Sequence, residues 1–181
     1  KQSIESVIQQ TYKDWELIIV NDCSTDNSRN IMQSYADTDS RIRIVDNGSN
    51  LKLPRSLNAG FREARGKYLT WTSDDNMYRS DALEELLYYL ECNPEIGLVY
   101  SDMDVVDDSL NFLREQCLGM NMLCYGDCVG ASFMYRKEVI DKVGEYDPDM
   151  FLVEDYEYWI RISEKFKIGH LNKNLYIYRK H

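Results

Sequence analysis

The stretch Trp15-Glu16-Leu17-Ile18-Ile19-Val20-Asn21-Asp22-Cys23-Ser24-Thr25-Asp26 decides the fold. Its first half is a short apolar run rich in β-branched residues, which is typical of a strand buried on both faces of a parallel sheet. The polar residues that follow favour a helix N-terminus, and apolar residues then recur at helical spacing at Ile31, Met32 and Tyr35. The stretch therefore predicts a strand, a polar turn and a helix in direct succession.

The same alternation continues along the chain. A helix is predicted from Ile4 to Tyr12, and Asp104 to Met122 shows no clean period. The remaining predicted strands are 41–45, 67–72, 98–101, 131–135, 167–171 and 175–178, and the remaining predicted helices are 57–64, 82–90, 137–143 and 155–166. Alternating strands and helices imply an α/β fold of the nucleotide-binding type, with a mostly parallel sheet, helices on both of its faces and antiparallel additions after residue 103.

Size, charge and cysteine usage limit the class of protein. The chain has 181 residues, of which 44% are hydrophobic, so one compact domain is expected. A net charge of -10 argues against nucleic acid as a partner and offers no attraction to anionic lipid. Five cysteines without a C-x-x-C pair, and only two histidines to complete a metal cluster, favour a reduced, cytoplasmic setting. No apolar window is long enough to span a membrane.

Three acidic clusters lie after predicted strands or at the start of a predicted helix. Asp22 follows the first strand, Asp74 and Asp75 follow the strand at 67–72, and Glu154 and Asp155 open the late helix. In an open α/β sheet ligands bind beyond the carboxyl ends of the strands, although a single Asp there is more often a helix cap or a solvated turn. Crowded carboxylates favour a divalent cation, which is commonly shared with phosphate oxygens. Since the chain has neither G-x-x-x-x-G-K-[ST] nor G-x-G-x-x-G, a metal-bound diphosphate is the expected ligand.

Asp155 is the candidate general base. It shares a helical stripe with Tyr158, Trp159 and Ile162, which places a carboxylate on the core-facing side. Burial should raise its pKa and the helix N-terminus should lower it, and a carboxylate between these two effects suits proton abstraction. The alternative is a helix cap or an ion pair with Arg161. His181 is either a metal ligand or the end of a frayed terminus.

Several segments resemble the family 2 glycosyltransferases, whose members adopt the GT-A fold. The resemblance runs in order over almost the whole chain, and its pieces are Ser3 to Tyr12, Glu16 to Asp26, Leu57 to Gly60 with Ala64 to Tyr68, Trp71 to Asn76, Glu154 to Arg161, and Tyr178 to His181. It implies a single GT-A-like domain, with residues 1–103 as the nucleotide-sugar-binding part and residues 104–181 as the acceptor and catalytic-base part.

The resemblance also implies a reaction and the residues that serve it. The reaction is inverting transfer of a sugar from a nucleotide-sugar, most often a UDP-sugar, to an acceptor hydroxyl in polysaccharide or glycolipid synthesis. Asp155 would be the catalytic base, and Asp74 and His181 would hold Mn²⁺ or Mg²⁺. Three residues would serve donor binding: Asp22 at the nucleotide base, Asn58, and Asp75 as a partner of the metal site. The side chains of residues 22, 74 and 155 are expected to converge on one cavity.

The sequence departs from the family pattern in two ways. Thr72 occupies the first acidic place of the usual Asp-x-Asp metal motif. The family's opening strand should precede Lys1 and is expected to be missing; its neighbours would then expose unpaired backbone groups, which pairing with a second copy could satisfy. The alternative functions are a non-catalytic nucleotide-sugar-binding module and nucleotidyl transfer to sugar phosphates.

Two further expectations concern the acceptor and the location of the protein in the cell. The segment Cys124 to Gly130 lies where family members form part of the acceptor side, although an ordinary loop is an equal alternative. The expected acceptor is a saccharide or a lipid-linked saccharide. Kinship implies a cytoplasmic domain near the inner membrane face, with no more than peripheral contact with the bilayer.

Overall fold

A computed structural model of the chain describes residues 1–117 and 119–181. Its helices are α1 (Gln2–Ile8), α2 (Ser28–Ala36), α3 (Lys52–Glu63), α4 (Ala82–Cys92), α5 (Lys137–Val143) and α6 (Glu154–Ser163), with one 3₁₀ turn at Met120–Met122. Its strands are β1 (Leu17–Asn21), β2 (Ile42–Asp46), β3 (Tyr68–Leu69), β4 (Met77–Tyr78), β5 (Ile96–Val106), β6 (Phe112–Gln116), β7 (Phe133–Arg136) and β8 (Lys167–Arg179). The predicted α/β class is confirmed.

The described strands form two sheets. β1 and β2 pair in parallel as a two-stranded sheet. The second sheet has the order β3-β7-β5-β8-β4, with β6 added to β5. Only β5 and β8 are parallel in this second sheet, and its other four described pairings are antiparallel. The expected antiparallel additions are therefore present and begin earlier in the chain than the sequence suggested, so the architecture is mixed.

β5 is the centre of the core. Ten of its eleven residues are buried, because helices cover both faces of the sheet at this strand. Leu98 and Tyr100 face a cluster that contains Trp159 of α6, whereas Val99 faces a cluster that contains Leu86 of α4. The alternation of side chains along one strand thus builds both halves of the hydrophobic core.

Two predicted strands have different bounds in the structure. The strand expected at 67–72 ends at Leu69, because the Thr70 hydroxyl donates to the carbonyl of Phe133 at 2.5 Å in place of a backbone ladder bond. The two late strands are one strand, β8, whose pairing with β5 shifts register between Leu171 and Asn174. This bulge accommodates the polar residues that separated the two predicted segments.

No helix in the described part of the chain combines the length and the apolar character needed to cross a bilayer.

Candidate donor and catalytic-base site

Asp22 lies directly after β1 and anchors the start of α3. Its carboxylate accepts hydrogen bonds from the backbone N–H of Leu51 at 2.7 Å, the backbone N–H of Lys52 at 2.9 Å and the side-chain amide of Asn47 at 2.8 Å. Partial burial opposes ionisation, but these hydrogen bonds outweigh it and lower the Asp22 pKa. A hydrogen bond with the Ser56 side chain also lowers the Asp22 pKa, so four groups of the protein orient this carboxylate.

Backbone strain is concentrated around this site. Of the four non-glycine residues with positive φ in the described chain, Cys23 follows Asp22, Lys52 begins α3 and Leu152 lies two residues before α6. Each has a φ between 64° and 76°, a region that costs energy for residues with a Cβ atom. Strained backbone of this kind is retained where the surrounding structure holds a functional arrangement in place.

The loop from Thr72 to Asn76 is fixed at both of its sides. The Ser3 hydroxyl of α1 donates to the carbonyl of Ser73 at 2.8 Å, and the Asn76 side chain accepts the backbone N–H of Arg179 at 2.8 Å. Asp74 lies at the exposed tip of this loop and forms no hydrogen bond or ion pair with the described residues. Its carboxylate is therefore held by the backbone but open to a ligand.

Asp75 and His181 are brought into contact. His181 Nε2 lies 2.9 Å from Asp75 Oδ2, and His181 Nδ1 lies 2.6 Å from Asp108 Oδ1. Hydrogen bonds to Asp75 and then to Asp108 raise the His181 pKa. Since both ring nitrogens face carboxylates, the imidazolium supplies the positive charge between them.

These residues fit a divalent cation. Asp75 Oδ1 is buried and has no hydrogen-bond partner among the described residues. An unpartnered carboxylate oxygen beside an exposed Asp and an imidazole offers the oxygen and nitrogen ligands that Mn²⁺ and Mg²⁺ accept. The structure brings the predicted ligand His181 into contact with Asp75 and Asp108, and the other predicted ligand, Asp74, directly precedes Asp75 in the chain.

Asp155 lies in the first turn of α6, where its Oδ1 is buried without a described partner. Burial is the main cause that raises its pKa to about 8, and the charges of Glu154 and Asp127 add to it. The sequence predicts two opposing effects on the Asp155 pKa. Desolvation therefore raises this pKa by more than the helix N-terminus lowers it. The alternative ion pair with Arg161 does not form, because that guanidinium binds Glu157.

Contacts join the surroundings of Asp155 to the loop that carries Asp74. Burial, followed by the charge of Asp155, raises the pKa of Tyr146 well above its usual value. Trp71 Nε1 donates to the Tyr146 hydroxyl at 3.2 Å, and Trp71 directly precedes the loop that carries Asp74. On the other side, Lys52 lies 5.9 Å from the ring centroid of Phe151, which connects the Asp22 region to the segment before α6.

Asn58 is placed differently from the carboxylates. Its amide donates to the carbonyl of Tyr146 at 2.8 Å and accepts the Tyr146 backbone N–H at 2.9 Å. The side chain is buried and holds α3 against the segment at Tyr146, so the structure does not bring its amide to the other predicted ligands. A cleft of about 680 Å³ between α3 and residues 143–148 contains Asn58 but none of Asp22, Asp74 and Asp155.

Some residues of the site were not predicted from the sequence. Asp108 lies in the turn between β5 and β6, within the range that showed no period. Asp127, in the segment from Cys124 to Gly130, raises the Asp155 pKa. The only sequence signal for either was its position in a polar, turn-rich segment, because contacts between distant residues leave no periodic pattern.

Known proteins share sequence with almost the whole of this chain. The chain is 30% identical to an uncharacterized glycosyltransferase of Methanocaldococcus jannaschii, over 99% of this chain and 65% of the relative. It is 28% identical to the O-antigen biosynthesis protein RfbC of Myxococcus xanthus, over 97% of this chain and 14% of the relative. The chain therefore spans less than two thirds of the length of these relatives.

Solved structures show the same fold. S. aureus TarS in complex with UDP superposes with a TM-score of 0.83 at 15% identity, over 99% of this chain and 56% of that one. A mannosyltransferase of Pyrobaculum calidifontis in complex with GDP-Man and Mn²⁺ superposes with a TM-score of 0.75 at 15% identity, over 97% of this chain and 51% of that one. Both similarities support the GT-A architecture.

The family model described as glycosyl transferase family 2 matches residues 1–144, which is most of the chain. The chain belongs to glycosyl transferase family 2.

Proposed function

We propose that this protein transfers a sugar, with inversion, from a UDP-sugar to an acceptor hydroxyl in polysaccharide or glycolipid synthesis. The observation that carries the proposal is Asp155, a buried carboxylate without a described partner whose pKa is raised to about 8. Family membership supports the reaction class, the UDP-bound TarS supports the donor, and the O-antigen protein RfbC supports the acceptor class.

Asp155 acts as the general base. Once ionised, its carboxylate accepts the proton of the acceptor hydroxyl while that oxygen attacks the anomeric carbon from the side opposite the diphosphate. The bond from the anomeric carbon to the diphosphate breaks as the new glycosidic bond forms, and UDP leaves. A single in-line displacement needs one carboxylate and inverts the anomeric configuration.

Asp74 and His181 would hold the divalent cation, and Asp75 would position the imidazole. A bound cation would stabilise the negative charge that develops on the leaving diphosphate. His181 must release one proton to serve as a ligand, because both of its nitrogens face carboxylates in the described structure. The Mn²⁺-bound mannosyltransferase of the same fold supports this use of the site.

Asp22 serves the nucleotide. Its carboxylate would accept a nucleobase N–H, and the hydrogen bonds it already accepts within the protein keep it ionised and oriented. Asn58 acts at a distance from the donor, through the α3 backbone that it holds in place.

A non-catalytic nucleotide-sugar-binding module is the second candidate, and Thr72 favours it. Its hydroxyl lies 2.5 Å from the Tyr176 hydroxyl, so it is engaged within the protein at the position where the family usually provides an acidic ligand. Weak cation binding would leave the donor bound but unreacted.

Donor turnover and UDP binding distinguish these two functions. With UDP-sugars and Mn²⁺, we expect UDP release by the unmodified protein and a loss on the order of 10²- to 10⁴-fold in Asp155→Asn, as for removal of a general base. Asp141→Asn, a change at an exposed carboxylate on α5, is the matched control and should keep its activity. The anomeric configuration of the product, read by nuclear magnetic resonance, tests inversion.

Calorimetric titration with UDP completes the experiment. Binding that depends on Mn²⁺ and weakens in Asp74→Asn supports the assigned cation site. If UDP binds both the unmodified protein and Asp155→Asn, and neither turns over any donor, the binding module is correct. Absence of UDP binding with or without Mn²⁺ contradicts both functions.

A further inference from the structure

A second cluster of metal-ligating side chains lies within the six-stranded sheet, apart from the donor site. Its members are Asp102 on β5, Cys117 directly after β6 and His170 on β8. One potential ligand atom from each residue lies within 4.8 Å of those of the other two. The three residues come from separate strands and are 15 and 53 positions apart along the chain, so the fold, and not local sequence, assembles them.

Strand register explains why Asp102 and Cys117 meet. β5 and β6 are antiparallel, and Met103 pairs with Gln116. Continuing this register by one residue places Asp102 opposite Cys117, with both side chains on the same face of the sheet.

His170 reaches the same face from the other neighbour of β5. It pairs with Tyr100 in the parallel register of β5 and β8, and Tyr100 lies two residues before Asp102 on the same face. The Tyr100 and His170 rings are stacked at 4.6 Å with an interplanar angle of 13°, which fixes the imidazole plane. The stacked ring directs Nε2 to Asp102 Oδ1 at a distance of 2.7 Å.

Burial makes this cluster unlike an ordinary surface ion pair. The Asp102 side chain is 3% exposed and that of His170 is 23% exposed. The Cys117 thiol hydrogen bonds the same Asp102 carboxylate. One buried carboxylate thus interacts with an imidazole and a thiol at once, and burying such polar groups is costly unless they are fully satisfied.

We propose that Asp102, Cys117 and His170 form a zinc-binding site that clamps β6 and β8 to β5. Zn²⁺ accepts a mixed set of thiolate, imidazole and carboxylate ligands at about 2.0 to 2.3 Å, which places tetrahedral ligand atoms roughly 3.3 to 3.8 Å apart. The present separations bracket this range, so small side-chain rotations are sufficient. A water molecule completes the fourth position.

The chemistry of the ligands separates this site from the one for the donor cation. A thiolate selects zinc and disfavours Mg²⁺ and Mn²⁺, whereas the Asp74, Asp75 and His181 site offers mostly oxygen. Val106 lies four positions after Asp102 on β5, a distance of about 13 Å, and it pairs with Arg179, two residues before His181. The two sites therefore lie at different positions along the same strands.

Zinc binding balances in protons and charge and needs no reactant other than the metal ion. The Cys117 thiol releases its proton to solvent and binds as thiolate, and His170 binds through Nε2 as the tautomer protonated at Nδ1. The Asp102 carboxylate keeps its charge, so one positive charge offsets each of the two anionic ligands. Metal binding should therefore stabilise the sheet at β6, which among the described strands pairs with β5 alone.

Cobalt spectroscopy tests the site without use of activity. Metal-free protein is titrated with Co²⁺ under a phosphine reductant, and we expect a thiolate-to-cobalt charge-transfer band together with the intense visible bands of tetrahedral cobalt. Cys117→Ser should lose the charge-transfer band and weaken zinc binding by about 100-fold or more, since loss of second-shell partners alone costs 10- to 100-fold. Cys92→Ser, at an exposed cysteine, is the matched control and should keep the band.

Two more variants make the result unambiguous. His170→Gln should keep the thiolate band but reduce the zinc affinity of this site, whereas His181→Gln, which alters the donor-cation site, should leave the thiolate band unchanged. Zn²⁺ should raise the melting temperature of the unmodified protein by more than that of Cys117→Ser, while circular dichroism confirms that both are folded. Absence of the band in the unmodified protein, or its persistence in Cys117→Ser, would overturn the proposal.

Discussion

Asp155 shows how one side chain is prepared for its chemistry by where it is buried. A pKa of about 8 leaves the carboxyl mostly protonated at neutral pH, although the group must be ionised to accept a proton. Burial is the larger cause, and the negative charges of Glu154 and Asp127 add to it. The activity of the protein should therefore depend on pH in a direction fixed by this residue.

We expect kcat/KM to rise with pH through an apparent pKa near 8, because the ionised fraction of Asp155 increases over that range. UDP release measured between about pH 6 and pH 9.5 gives the profile. Glu154→Gln removes a neighbouring negative charge and should move the rising limb to lower pH. A flat profile above about pH 6, or a limb that Glu154→Gln shifts upward, would contradict the role of burial.

At the scale of an element, α3 depends on a residue from a different part of the chain. Its first residue, Lys52, has a φ of 68°, and its own N-terminal side chains supply no capping hydrogen bond. Asp22 supplies the cap instead, by accepting the N–H groups of Leu51 and Lys52. A carboxylate at this end also interacts favourably with the helix dipole.

Asp22→Ala should lower the free energy of unfolding by about 1 to 2 kcal/mol, as loss of a helix cap and a charged hydrogen-bond acceptor does. Urea denaturation measures the change. Asp14→Ala, at an exposed carboxylate before β1, serves as the control and should fall within about 0.5 kcal/mol of the unmodified protein. Equal stability of the two variants would show that α3 does not need Asp22.

The elements that the sequence predicted well are those whose pattern is local. The strand from Leu17 and the helix α6 have apolar residues at regular spacing, so both were found close to their observed bounds. β3 was predicted too long because the hydrogen bond from Thr70 to Phe133 joins residues 63 positions apart. No pattern within a short window contains such a contact.

The same limit applies to the candidate sites. Asp22, Asp74 and Asp155 were singled out because acidic residues after strands are visible in the sequence. The cluster of Asp102, Cys117 and His170 was not, because strand register alone brings its members together. The hydrogen bond by which Asn58 holds the Tyr146 backbone likewise joins residues that are 88 positions apart in the sequence.

At the scale of the whole molecule, the described strands are divided into two sheets of unequal burial. The β1–β2 sheet has mostly half-buried residues, whereas β5 is buried almost throughout. Free energy of local opening follows buried contacts and protected hydrogen bonds. The two sheets should therefore open at different free energies.

Native-state hydrogen exchange should show the amides of Ile18, Ile19 and Val20 exchanging on the order of tenfold or more faster than those of Leu98, Val99 and Tyr100. Mass spectrometry of peptides from each strand gives the rates, and α4 amides provide an internal reference for the larger sheet. Equal protection of the two sets would mean that the sheets unfold as one cooperative unit.

The paired hydrogen bonds between Asn58 and the Tyr146 backbone join α3 to the segment that lies beside Asp155. Asp22 anchors α3, and Tyr146 lies close to Asp155. The two hydrogen bonds therefore couple the position of α3 to that of the segment at Tyr146. A shift of α3 on nucleotide binding would thereby reach the backbone at Tyr146. We therefore expect nucleotide binding beside Asp22 to change the environment of Asp155 through this pair of hydrogen bonds.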